Sequence, residues 1–501
     1  MLTQYLLALT VTLASMMELL DVTIVNVAAP TLMGRFGASV DEIAWVSTGY
    51  VVANVVILPI SGWLSAWFGR RRYYVGSILL FVAASAGCAG AQTLWQLVLC
   101  RIVQGLAGGG LLGISQAAIY DAFPKEKVST GLAVYGIGVM MGPTLGPTVG
   151  GYLIDNWSWH WIFLINIPLG LLAATLSTVF VQDSPNEKKP ARIDYLGFAL
   201  LALGVGTLQV LLERGEHWDW FESPWTYASI AVSATSLLGF FWYERRIANP
   251  IVNTRLFLDR QFALGSLCAF CIGFGLYSTL FMVPLYLQTL MHYSAFQAGT
   301  IIFPGALASA VSTLVIGKLS QENRVDERVF ITLGIVLYCY AMHLHAGFTL
   351  LNDTDSFFWP LVIRGFGLGM IFVPLTNLAL RRLDAQLISG ASGVLNLMRQ
   401  LGGSVGIATA AALLTRFTWI RYVGLSANVT TQTVERSGWS APLSDPSLLS
   451  IPFTSREQAL AALTFLQTTQ QAHMLAFTMI FALFGWVMAV GIPTTLMMRR
   501  Q

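Results

Sequence analysis

Long apolar runs separated by short polar breaks recur along the whole chain. A helix needs about 20 apolar residues to cross a hydrocarbon core roughly 30 Å thick. Runs of that kind fall near 6–29, 44–66, 74–92, 95–119, 129–153, 160–182, 195–212, 226–243, 262–289, 296–319, 329–347, 357–380, 389–414 and 473–496. The pattern predicts an all-α membrane protein with fourteen spanning helices. The first run has no basic stretch and no small-residue cleavage site ahead of it, so it reads as a membrane helix and not as a removable leader. Two breaks stand out. The first, 213–225, mixes acids with tryptophans, which favour the headgroup level. The second, about 415–471, is much longer than the others and rich in Ser, Thr and Pro, with a short helix expected over 455–470. Loops of that length tend to be functional or disordered, and here a docking surface outside the membrane is expected.

Polar residues inside the runs carry the next layer. Of the 25 Asp and Glu, only Glu18 and Asp21 lie well inside a span, while Asp121 and Glu213 sit at span ends. Glu18 and Asp21 are three residues apart and so share one helical face. A charge at membrane depth costs several kcal/mol, and such residues usually face a bundle interior along an ion or substrate path. Two neighbouring acids in a low dielectric resist ionising together, a property that suits proton coupling. Arg101, Arg364 and Arg399 are the basic residues within spans.

Composition supports this class and excludes others. The chain has 501 residues, 55% hydrophobic and 11% charged, against roughly 25% charged in soluble domains. A net charge of +3 with no basic stripe does not suit nucleic acid. Cys268 and Cys271 form a CxxC among apolar neighbours, with no second ligand pair, so they read as helix packing and no metal site is expected. No phosphate loop or nucleophile elbow is present, so neither an enzyme, a cofactor nor ATP is expected. Most of the 28 Lys and Arg, including Arg70 to Arg72, Lys125, Arg245, Arg246, Arg381 and Arg382, fall on one side of the expected topology. The positive-inside rule makes that side cytoplasmic and puts both termini there.

The chain also repeats itself. Gly62-Trp63-Leu64-Ser65 closes the second span and Gly317-Lys318-Leu319-Ser320 the tenth, while Gln104-Gly105 in the fourth has a counterpart in Arg364-Gly365 of the twelfth. This register implies two copies of a six-helix unit, 1–190 and 251–501, with two inserted helices over 191–250. Parallel halves of this kind are typical of secondary transporters that bind substrate between them. Arg364 stands where the repeat would place an uncharged residue.

Several motifs together resemble the fourteen-spanner drug:proton antiporters of the major facilitator superfamily, and most of all the EmrB type. They are Leu20 to Pro30 (LDVTIVNVAAP), Arg101 to Gly105 (RIVQG), Gly138 to Gly151 (GVMMGPTLGPTVGG), Trp159 to Pro168, and Asn396 to Gly406. The resemblance implies the major facilitator fold, two pseudo-symmetric six-helix bundles plus two inserted helices. It assigns proton coupling to Asp21, Glu18 and Arg101, whose guanidinium stays charged when buried. Gating is expected from Gly62, Gly69, Arg70 and Asp121, and from Gly142, Pro143, Gly146, Pro147 and Gly150, because Gly and Pro permit helix bending and close approach. Candidate substrate contacts are Asn26, Tyr50, Gln116, Met140, Asn396 and Arg399. One departure is notable: the aspartate usual in the loop after the second span is Ala66, which leaves Asp121 as the candidate partner for Arg70.

The expected activity is proton-motive export of hydrophobic or amphipathic drugs from a bacterial inner (cytoplasmic) membrane. The resemblance further implies a tripartite assembly with a periplasmic, EmrA-type adaptor and a TolC-type outer-membrane channel. The alternatives are export of one endogenous metabolite, fatty acid or toxin on the same fold, or a non-transporting sensor or channel.

Overall fold

The computed structural model describes residues 2–184, 194–247, 250–322, 325–427 and 456–498, and among these every regular element is helical. Fourteen long helices follow one another: α1 (Leu2–Phe36), α2 (Val40–Phe68), α3 (Arg70–Ala89), α4 (Leu94–Ala122), α5 (Val128–Asn156), α6 (Trp161–Phe180), α7 (Tyr195–Arg214), α8 (Pro224–Glu244), α9 (Arg260–Thr289), α10 (Ala295–Gln321), α11 (Glu327–His345), α12 (Phe358–Leu380), α13 (Ala385–Ser426) and α14 (Arg456–Ala489). Thirteen of them are long and apolar enough to span a membrane by length and composition. The exception is α8, of similar length but diluted by Trp, Tyr, Ser and Thr; it packs against α7 as a hairpin.

The pairing of helices repeats with an offset of eight. α1 packs on α5 and α6, α2 on α4, and α3 on α4 and α6; α9 packs on α13 and α14, α10 on α12, and α11 on α12 and α14. Local chemistry repeats too. Ser39 caps α2 in a reciprocal box with Glu42, and Ser294 caps α10 in the same way with Gln297. These boxes satisfy backbone groups that a helix start otherwise leaves unpaired. The bundles meet along α5 with α10, and where α13 crosses α2 and α4.

The end of the molecule carrying Arg70 to Arg72, Arg381 and Arg382 is called the basic end below. At Gly69 the chain turns from α2 into α3 with φ +87°, a conformation that favours glycine. The segment 415–471, expected as a long loop with a short helix over 455–470, is helical at both ends. α13 runs 42 residues, about 63 Å, and reaches Ser426, while α14 begins at Arg456. Both extend past a 30 Å core, and Tyr422 meets Phe465 edge-on at 5.7 Å in the extension. Residues 428–455 of that loop, and the expected boundary at 190/191, lie outside the described residues.

Candidate functional site

Burial organises the polar residues of the first bundle into one network. Asp21 on α1 and Arg101 on α4 are both buried and form an ion pair through Arg101 Nη1 and Asp21 Oδ2. Neighbouring amides complete the arrangement. Asn166 of α6 donates to Asp21 Oδ1 at 2.6 Å and Gln104 donates to the same oxygen at 3.0 Å. Gln104 Oε1 accepts from Arg101 at 2.7 Å, and Ser85 of α3 accepts from Gln104 and Asn166 at 3.1 and 3.0 Å. Arg101 Nε donates to the Val46 carbonyl at 3.2 Å, and its guanidinium lies 4.2 Å from the Tyr50 ring centre. A buried ion pair is tolerated when its remaining lone pairs and protons find such partners. Glu18 is treated differently. Oε1 accepts from Asn54 Nδ2 at 2.8 Å, while Oε2 and the Tyr50 hydroxyl have no hydrogen-bond partner.

A cavity of about 480 Å³ lies between the bundles, in the half of the molecule away from the basic end. Its wall includes Thr23, Asn26 and Ser47 from the first bundle, Tyr277, Phe281, Gln288, Gln400 and Ser404 from the second, and Glu213 from α7. Arg101 also reaches the wall, so the arginine of the ion pair forms part of the cavity floor, with Asp21 buried behind it. Such a volume falls within the range of small-molecule sites, about 300–1,000 Å³.

The glycines of α5 explain how α1 is seated. A Cβ at Gly142 would lie 3.1 Å from Leu19 Cβ, at Gly146 it would overlap the Thr23 side chain, and at Gly150 it would come within 2.8 Å of Ile24 Cγ1. This stripe lies against the helix that carries both acids, while Pro143 and Pro147 reach the cavity wall.

At the basic end the bundles close on one another. A Cβ at Gly62 would lie 2.6 Å from the backbone nitrogen of Gly390. Asn377 Nδ2 donates to Ser129 Oγ at 2.8 Å, Thr130 Oγ1 to Gln321 Oε1 at 2.6 Å, and the Tyr120 hydroxyl to the Thr376 carbonyl at 3.2 Å. Within the first bundle Arg70 Nη1 meets Asp121 Oδ2 at 2.7 Å, and Ser184 donates to that oxygen at 2.6 Å. Asp183 accepts from the Arg71 backbone N–H at 3.0 Å and stands 3.2 Å from where a Gly69 Cβ would be.

Among the candidate substrate contacts, Asn26 is exposed on the cavity wall, held by Ser47 at 2.9 Å. The other five do not line that cavity. Gln116 and Asn396 are buried and bond to each other across the bundles at 3.1 Å. Arg399 donates to Asn396 at 3.2 Å and lies 4.8 Å from the Phe372 ring. Tyr50 lies beneath Arg101, and Met140 is buried. Gln116 and Asn396 are buried because the bundles close on one another there, whereas Tyr50 is buried inside the first bundle. Residue pattern alone did not place Asn166, Ser85, Glu213 or Gln288 at the site. Asn166 had a signal, a carboxamide in an apolar span, whereas Glu213 was noted only as an acid at a span end, at the start of a Trp-rich break.

Arg364 is buried, with Nε and Nη1 unpartnered, and lies within electrostatic reach of Tyr338 and His345. Cys268 and Cys271 are free thiols, with Cys268 Sγ 3.7 Å from Thr495 Oγ1.

Two repeated helical bundles, a cavity between them and a buried ion pair at its floor define a membrane transport protein rather than an enzyme. The model of the Major Facilitator Superfamily matches residues 11–407, and the chain belongs to that family. It is 35% identical over 420 residues to the multidrug export protein EmrB of Haemophilus influenzae, covering 83% of this chain and 80% of that protein. It is 32% identical over 438 residues to the fatty acid resistance protein FarB of Neisseria gonorrhoeae, covering 87% and 86%. The fold is similar to that of the human organic anion transporter MFSD10, with a TM-score of 0.60 at 14% identity, covering 97% of this chain and 99% of that one.

Proposed function

We propose that this chain is a proton-coupled antiporter that exports hydrophobic or amphipathic drugs across a bacterial inner membrane. The basic end and both termini face the cytoplasm, so the cavity opens outward in this conformation. The observation that carries the reading is the buried Asp21–Arg101 pair, whose arginine reaches the floor of the cavity and so can link the state of the acid to what the cavity holds. Protonation of Asp21 from outside removes the charge that holds Arg101, and the guanidinium, which already reaches the cavity wall, is freed to turn further into the cavity. Drug leaves, the bundles rock, and loss of the proton to the cytoplasm restores the pair. Glu18, one helical turn nearer the basic end, offers a second acid on that route. Coupling requires proton and drug to favour different states, because only differential affinity shifts a conformational equilibrium.

Residues 1–190 and 251–501 act as the rocking bundles, with 191–250 as an inserted hairpin. Arg70 with Asp121, Gly62 against Gly390, and the α5 stripe form the gating parts. A periplasmic adaptor and an outer-membrane channel complete the export route, with the extended ends of α13 and α14 as the docking side. The closeness to FarB keeps fatty acids among the substrates to be assayed.

The test uses purified protein in proteoliposomes with an imposed pH gradient, following dye movement and lumenal pH together. Wild type moves dye against proton flow. Asp21→Asn binds dye and loses gradient-driven movement. If Asp21→Asn and Glu18→Gln both pump normally, the proposed coupling is wrong.

A further inference from the structure

The inserted hairpin has no counterpart in the repeat, yet α7 supplies part of the cavity wall. Four contacts fix it there. Arg214 Nη1 donates to the Asp41 carbonyl at 2.9 Å at the start of α2, and the Arg214 guanidinium lies 5.3 Å from the Trp45 ring centre. His217 Nδ1 stands 2.8 Å from Asp41 Oδ1. On the other side of the cavity, Gln209 Nε2 donates to Ser404 Oγ of α13 at 2.8 Å. The hairpin therefore spans the cleft and presents Glu213 to the cavity.

Charge at the wall is lopsided. The ionisable residues lining the cavity are Arg101, Glu213 and Tyr277. Arg101 is neutralised by Asp21, and a phenol carries no charge near neutral pH. Glu213 accepts a hydrogen bond from Gln209 at 2.9 Å and has no ion-pair partner among the described residues, because neighbouring Arg214 is turned to Asp41. One carboxylate without a direct ion pair thus remains in a partly desolvated, largely apolar pocket. Tyr277 and Phe281 supply rings whose faces attract a cation, and Asn26 and Gln288 supply amides.

We propose that Glu213 is the charge-recognition residue of the drug cavity, so that the inserted hairpin selects cationic amphipathic compounds over neutral and anionic ones of similar size. This rests on the transport reading above and assigns a substrate class to that same cavity. A lipophilic cation places its charge at Glu213 and its apolar body against Pro143, Pro147, Leu280 and Leu285. An acid there loses the carboxylate's attraction and meets like charge.

The experiment measures proton-driven transport of a permanent cation (tetraphenylphosphonium) and of a neutral lipophile of similar size in proteoliposomes, for wild type, Glu213→Gln and Glu213→Asp. A close, partly desolvated charge pair couples by at least about 1.5 kcal/mol. Glu213→Gln is therefore expected to raise KM for the cation at least about tenfold and leave KM for the neutral compound unchanged. Glu213→Asp, which keeps the charge, is expected to recover most of the difference. Equal KM for the cation in wild type and Glu213→Gln overturns the proposal while leaving transport intact. Loss of proton-driven transport of both compounds, with cation binding unchanged, would make Glu213 a proton site and also overturn it. A wild type that moves neither compound rejects the transport reading itself.

Discussion

Asn54 Nδ2 donates to Glu18 Oε1 at 2.8 Å, the one hydrogen bond this buried acid makes among the described residues, while Asp21 a turn away is held by an arginine and two amides. The two carboxylates that share a helical face therefore have different electrostatic surroundings. Glu18→Gln keeps an acceptor for Asn54 and removes an acid that has no counter-ion among the described residues, so the variant is expected to fold and melt near wild type. Asp21→Asn leaves Arg101 buried without a counter-charge. Breaking one side of a buried pair costs about 3–5 kcal/mol, and a clear fall in melting temperature in detergent is expected. The double variant Asp21→Asn/Arg101→Gln should recover most of that fall. If the double variant is no more stable than Asp21→Asn alone, the pair is not what orders this network.

Helix contact at α5 gives a prediction of a different kind. A Cβ at Gly146 collides with the side chain of Thr23, whereas one at Gly62 meets the backbone of Gly390. Gly146→Ala is expected to abolish transport at equal expression, and Thr23→Ala in the same chain to restore part of it, because a side chain can be trimmed. Gly62→Ala has no such remedy, since backbone cannot be removed. Equal rescue of Gly62→Ala by Ser389→Ala, judged by dye efflux in cells, would show that backbone contact is not the obstacle.

These two cases mark what the sequence makes legible. Fourteen apolar runs and the Gly62/Gly317 register are local and periodic, so the helices and their repeat could be read directly. Asp21 could be read because an acid in an apolar run is a strong anomaly. The pairing of Gln116 with Asn396 could not, since it depends on which end of the molecule is closed, a property of packing between bundles. The position of Glu213 depends on how the hairpin crosses the cleft, which Arg214, Asp41 and Gln209 fix through contacts far apart in the chain.

The Ala66 position carries a third prediction. It lines a small cavity at the basic end beside Ser389, whose hydroxyl is buried without a partner. Ala66→Asp would place a carboxylate near that hydroxyl and add a contact between α2 and α13. Charge-assisted bonds contribute about 1.5–3 kcal/mol, so the closed basic end should gain population and turnover should slow severalfold. Asp121→Asn acts in the opposite direction: it weakens the 2.7 Å contact to Arg70 and should lower transport at equal expression. Wild-type transport in Asp121→Asn would remove that contact from the gating scheme.

Asn377 provides the last test, because it joins the bundles at the basic end through side chains alone. It donates to Ser129 Oγ at 2.8 Å on the first bundle and to Glu327 Oε1 at 2.9 Å on its own, and its Oδ1 lies 3.3 Å from the Tyr120 hydroxyl. Rocking to the other conformation must break the contacts to Ser129 and Tyr120, so they count only in the closed state. Each such bond contributes about 0.5–1.5 kcal/mol net. Asn377→Ala should therefore shift the equilibrium toward an open basic end by about tenfold, the factor that 1.4 kcal/mol represents. Spin labels at Glu126 and Asp384, both exposed at that end, would report this as growth of a longer-distance population in lipid. An unchanged distance distribution in Asn377→Ala would mean that the closed state is held by the Gly62–Gly390 backbone contact and not by these side chains.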